Sequence, residues 1–129
     1  MLHRFSQVDV FTSVPYLGNP VAVIHDADGL DGETMQRIAA WTNLSETTFV
    51  LPPSDPAADY RVRIFTPFSE IPFAGHPTLG TCHAWFEAGG GSRDPLRIVQ
   101  ECGSGLVRIR RDDDGSLAFE EPPIIRGGA

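Results

Sequence analysis

The chain contains no lysine: all ten basic residues among its 129 positions are arginine. A Schiff-base lysine, a pyridoxal-phosphate lysine and a phosphate-loop lysine are therefore excluded from this sequence. Cysteine is scarce as well. Cys82 and Cys102 are the only two, too few for the disulfide framework of a small secreted scaffold, and both read as reduced, partly buried thiols. No apolar run comes near the ~20 residues of a membrane-spanning helix. The opening MLHRFSQVDVF lacks the apolar core and small-residue cleavage site of a signal peptide, so a cytoplasmic location and no membrane partner are expected. Positive charge is outweighed by 17 acidic residues, which gives a net charge of -7 and a pI near 4.9. A nucleic-acid binder presents a basic face, so that partner class is not expected. The usual zinc spacings are missing too. His76 and His83 could share a helix face near Cys82, but no second ligand cluster accompanies them, and no metal site is expected. Gly103-Ser104-Gly105 is too short and wrongly placed for a dinucleotide fingerprint.

What is present fits one globular domain of 129 residues, with 41% hydrophobic and 21% charged residues. Phe5 to Phe11 reads as a first strand, Val14 to Pro20 as a turn or loop, and Val21 to Ile24 as a short strand. Asp31 is placed to cap a helix from Gly32 to about Asn43. Its apolar stripe would run through Met35, Ile38, Ala39 and Trp41 or Thr42. Glu46 to Leu51 is a β-branched and aromatic strand, followed by a proline-rich loop from Pro52 to Ala58. Tyr60 to Thr66 alternates, with Arg61 and Arg63 on one face and Val62 and Ile64 on the other. A proline-containing connection, Pro67 to Phe73, leads to a helix from Pro77 to Ala88. That helix is apolar or small on nearly every side, is expected to be buried, and ends at Gly89 to Gly91. Leu96 to Gln100, Gly105 to Arg110 and Ser116 to Phe119 read as three more strands. A hairpin turn is expected at Asp113, Asp114 and Gly115, and the tail EEPPIIRGGA as a linker or frayed end. Strands on both sides of one buried helix predict an α+β domain in which a curled mixed sheet wraps a central helix.

Two segments concentrate the chemistry. RIFTPFSEIPFAGHPTLG, from Arg63 to Gly80, holds a Gly-His-Pro turn at a helix start, and NLSETTFV, from Asn43 to Val50, holds the lone carboxylate Glu46. A general base needs a carboxylate shielded from water, and the strand neighbours of Glu46 are expected to supply that shielding. The bland alternative is a solvent-facing glutamate on an edge strand. His76, just before Pro77, either donates to a substrate oxygen and relays a proton, or merely caps the helix. Backbone N–H groups from Gly75 to Thr78 favour an anion such as a substrate carboxylate, and Gly75 permits close approach. Glu70 reads as a structural acceptor of backbone N–H groups in the turn. Asn19, in Gly18-Asn19-Pro20, reads equally as plain turn formation or as part of a site. Cys82 lies about two turns into the helix and reads as core, while His3 and His25 read as surface or satisfied residues.

The opening FSQVDVFTSVPYLGNPVAVI, the SETTFV strand, the AGHPTLGTCHAWFE helix and QECGSGLVRI together resemble the PhzF-like family of the diaminopimelate-epimerase fold. The resemblance implies a cofactor-independent isomerase, of the kind best known from phenazine biosynthesis, acting on a dihydro-hydroxyanthranilate-like carboxylate. It places the acid/base glutamate at Glu46 and assigns His76 a site role. It implies substrate contacts from Asn19, Ser45, Gly75, Pro77 and Thr78. Related cysteine-dependent racemases carry their catalytic cysteine where this chain has Ala74, so a two-thiol mechanism is disfavoured. Family members are about twice this length and have two similar halves with the site between them, and this chain matches the first. The resemblance therefore implies a second half, from a homodimer or from a separate second-half chain in a heterodimer. Otherwise the chain would be an inactive truncated half. A noncatalytic anion-binding or regulatory subunit of a biosynthetic complex is the competing expectation.

Overall fold

The computed structural model describes residues 5–10, 19–89, 96–112 and 117–119. Alternation sets the central strand β4, Tyr60–Phe65. Tyr60, Val62 and Ile64 are buried on one face, while Arg61 and Arg63 lie on the other, as the sequence pattern predicts. Before it come β1 (Phe5–Val10), β2 (Asn19–Ile24), α1 (Gly32–Thr42) and β3 (Glu46–Leu51). After it come β5 (Glu70–Ile71), α2 (Gly75–Glu87), β6 (Arg97–Cys102), β7 (Gly105–Arg111) and β8 (Leu117–Phe119). The sheet order is β1-β2-β3-β4-β6-β7-β8, with β5 added to β4 beyond the point where β6 leaves it. The β2–β3 and β4–β6 pairs are parallel and the others antiparallel, so the sheet is mixed.

Helix α2 touches β1 and β8, the two ends of this sheet, as well as β2 and β3. The sheet therefore curls around it, and the inner core joins Val21, Val23, Val62, Ile64, Ile98 and Ile109 to Cys82 and Ala84 of α2. The outer face of β2, β3 and β4 is covered by α1. Met35 and Ala39 pack there on Ile24, Phe49 and Phe65. Asp31 caps α1 by accepting the Thr34 N–H at 2.7 Å, and Asn43 ends it in the left-handed region at φ 56.

Several boundaries differ from expectation, each for a local reason. On α1, Trp41 is 86% exposed, so of the two alternatives Thr42 completes the stripe of Met35, Ile38 and Ala39, and its hydroxyl meets Ala39 O and Thr47 Oγ1. Asn19 and Pro20 belong to β2 rather than to a turn. Pro20 pairs with Asp9 one residue before the β3 ladder begins at Val21, so β3 asks no N–H of it. The connection after β4 contains the short strand β5. Helix α2 starts at Gly75, two residues before the expected Pro77, which still lies in the first turn where a missing N–H breaks no intrahelical bond. Strand β6 starts at Arg97 rather than Leu96 and continues to Cys102. The expected hairpin turn at 113–115 and the tail 120–129 lie outside the described residues. Among those residues no helix is long and apolar enough to cross a membrane.

Candidate functional site

Strand register places Glu46 on the inner face. It is opposite Val21 in β2, as Thr48 is opposite Val23, and both valines belong to the core around α2. The Thr48 hydroxyl meets the Thr81 hydroxyl of α2 at 2.7 Å on that same face. Further along, Val50 and Leu51 share a cavity with Trp85 and Ala88, so α2 runs alongside β3 in the same direction. Stepping back from Thr48 to Glu46 covers about 6.6 Å of strand. The same distance along a helix is about four residues. Glu46 is therefore level with the turn that opens α2. It is half-buried, with Oε2 shut off from solvent. Strand β3 lies inside the sheet, between β2 and β4, which removes the edge-strand reading.

The α2 turn is the second part of the candidate site. Its N-cap, Ala74, is extended at φ -151 and ψ 141 and provides no side-chain cap. An α-helix leaves its first N–H groups without intrahelical partners, and such a turn favours an anion. Pro77 and Thr78 are buried. The Thr78 hydroxyl is turned inward, donating to Ala74 O at 2.8 Å and accepting from Gln100 Nε2 at 3.2 Å. What Thr78 can offer a substrate is therefore its place in the turn rather than its hydroxyl. Ser45 is exposed immediately before Glu46. Asn19 opens β2 two residues before Val21, the register partner of Glu46. The backbone of His76 lies in the first turn of α2, while the side chains of His76 and Asn19 lie outside the described residues.

Glu70 does not cap the turn through backbone N–H groups. Its carboxylate takes two bonds from Arg63, at 2.9 and 2.8 Å, across the β4–β5 pair. The Arg63 guanidinium also lies over the Phe65 ring at 5.5 Å. Arg63 holds the Glu70 carboxyl below its ordinary value of 4.5, chiefly by hydrogen bonding. A carboxyl lowered in the folded state stabilises the fold above its unfolded value, and the stabilisation disappears as pH falls through the folded value. Glu70→Gln should therefore flatten the loss of stability below about pH 4.5, as read from urea midpoints between pH 7 and pH 3. Both partners are partly exposed, and solvent screening limits the effect to about 0.5 kcal/mol.

Burial disfavours the thiolate form of both cysteines. Burial pushes Cys82 up to about 12 and raises Cys102. His83 pairs with Glu87 at 2.7 Å on the surface of α2. Among the described residues no three His, Cys, Asp or Glu side chains converge as metal ligands would. His25 is buried at the end of β2. Two cavities lie away from Glu46. One, of about 270 Å³, sits by Trp85 and Gly89 at the far end of α2. The other, of about 380 Å³, opens between β5 and β6 beside Arg61 and Glu101. Neither is lined by Glu46 or by residues 75–78. Sequence reasoning missed the buried Thr48–Thr81 contact. Its one local signal is that Thr48 alternates onto the same face as Val50.

A family model described as phenazine biosynthesis-like protein (PhzC-PhzF) matches residues 8–121. The chain belongs to this family. The phenazine biosynthesis-like chain is 51% identical over 124 residues to antisense-enhancing sequence 1 of Schizosaccharomyces pombe, a match covering 93% of this chain and 42% of that protein. It is also 51% identical over 119 residues to trans-2,3-dihydro-3-hydroxyanthranilate isomerase of Pseudomonas aeruginosa, covering 91% of this chain and 41% of that one. Among solved structures, a PhzF-family phenazine biosynthesis protein of Bacillus anthracis superposes with a TM-score of 0.77 at 38% identity. That match covers 91% of this chain and 39% of the other. The α+β fold is thus the diaminopimelate-epimerase type expected from the sequence. The chain spans about two fifths of the length of the curated relatives it matches. Two relatives of equal identity carry unlike names, so the match fixes the family and the reaction has to be argued from the site.

Proposed function

We propose that this domain supplies one half of a cofactor-independent isomerase site. Glu46 removes a proton from an activated carbon of a small unsaturated carboxylate and returns one to another carbon of the conjugated system, with no net oxidation. The substrate carboxylate docks on the N–H groups that open α2. His76 assists by hydrogen bonding to a substrate oxygen. The observation that carries this reading is the placement of Glu46 on the inner face, level with the uncapped start of α2. Relatives named trans-2,3-dihydro-3-hydroxyanthranilate isomerase, at 51% and 49% identity, support that compound as the first substrate to try. The opposite wall of the site comes from a second half, supplied by another copy of this domain or by a polypeptide segment of second-half type.

The test is turnover of trans-2,3-dihydro-3-hydroxyanthranilate by the purified protein, alone and with a second half added, followed by ultraviolet absorbance. Consumption of substrate over many cycles is the expected result. Binding without conversion, with the second half present, would replace the isomerase by a noncatalytic anion-binding module.

A further inference from the structure

The inner core is polar where it meets the first turns of α2. Thr48, Thr78, Thr81 and Gln100 are fully buried, and Tyr60 nearly so. Valine in place of either Thr48 or Thr81 would fill the same space without desolvating a hydroxyl, so packing alone does not call for threonine there. The hydrogen-bond directions can be assigned. Thr81 has one hydroxyl proton and donates it to Pro77 O at 2.5 Å, so it accepts from Thr48 at 2.7 Å. Thr78 likewise donates to Ala74 O and accepts from Gln100, whose Oε1 receives the Tyr60 hydroxyl at 2.9 Å. Two chains therefore run from the sheet into α2, and each ends on a carbonyl at its start. One begins on β3 two residues from Glu46, and the other comes from β4 and β6.

We propose that Thr48 and Thr81 are positioning residues that fix the separation between Glu46 and the anion-holding turn of α2. The proposal rests on the isomerase reading of that site and deepens it. The β3 chain, Thr48 to Thr81 to Pro77, is a direct non-covalent link between the strand that carries the proton acceptor and the turn that holds the carboxylate. Proton transfer from carbon requires both ends of the substrate to be placed at once, and a misplacement of about 1 Å costs on the order of 100-fold in rate.

Thr48→Val removes the donor, keeps the shape, and leaves Thr81 bonded to Pro77. With trans-2,3-dihydro-3-hydroxyanthranilate we expect kcat to fall about 10- to 100-fold and KM to stay within about threefold, with Thr48→Ser recovering most of kcat. A second arm needs no turnover. Benzoate titrated into the 129-residue chain should shift the amide resonances of Gly75, His76 and Thr78 and that of Glu46 together. In Thr48→Val the turn should still respond while the response at Glu46 is lost. Three results overturn the proposal: unchanged kcat in Thr48→Val, a loss of kcat matched by an equal loss of benzoate-binding stoichiometry, or an unchanged coupled response. Failure of benzoate to perturb the turn at all overturns it as well. Absence of turnover in the parent protein, with the coupled benzoate response present and dependent on Thr48, would instead sink the isomerase reading and leave the positioning role standing.

Discussion

Glu46→Gln is expected to reduce kcat by at least about 1000-fold, within the range that a positioned general base contributes. Glutamine keeps the shape and the hydrogen-bonding reach of glutamate and loses the ability to accept a proton from carbon. The fold should tolerate it. Glu46 is the first residue of β3, its ladder contacts with Val21 are made by backbone, and glutamine fills the same half-buried space. The melting temperature should therefore stay within about 2 °C of the parent, since substitutions outside cores and caps are usually worth under about 0.5 kcal/mol. Steady-state kinetics separates the possible roles. A residue that only holds substrate would raise KM and spare kcat, whereas the base lowers kcat with KM little changed.

The largest effect on stability is expected at Phe49. It is fully buried on the outer face of β3, meets Phe65 edge-to-face at 5.4 Å and 86°, and sits beneath Met35 and Ala39 of α1. Phe49→Ala opens a cavity that only α1 could collapse into, and the cost is about 3–5 kcal/mol. For a chain of 129 residues that corresponds to a drop in melting temperature of roughly 10–18 °C. The outer cluster is separate from the core around α2, so amide protection should fall in α1 before α2. Trp41→Ala is the matched control. Its ring is exposed, and its removal should change stability by less than about 0.5 kcal/mol. Calorimetry on the two variants checks both values.

These expectations show which parts of the molecule are written locally. The alternation of Tyr60, Val62 and Ile64 and the cap at Asp31 are short-range patterns, and both elements formed as read. The stripe on α1 leaves Trp41 and Thr42 as alternatives, and helix geometry decides between them. Thr42 stands seven positions after Met35 and falls on the same helix face, whereas Trp41 is turned about 100° from it. Glu70 was expected to bond its own turn, but β4 brings Arg63 alongside through strand pairing, and a bidentate guanidinium outcompetes single backbone N–H groups. The candidate site divides in the same way. Glu46 and the Gly-His-Pro turn are legible as residues, because a lone carboxylate in a strand and a proline-started helix are local features. That they share a face follows only from the β2–β3 register and from a threonine pair 33 positions apart, which no local period encodes.

The central claim is that Glu46 carries the proton, and isotope transfer from water tests it most directly. In D₂O, with trans-2,3-dihydro-3-hydroxyanthranilate and the second half present, the parent protein should place deuterium on the carbon that receives the proton. The product or recovered ligand from Glu46→Gln should carry none above the rate without protein. Undiminished deuterium incorporation by Glu46→Gln would contradict the account.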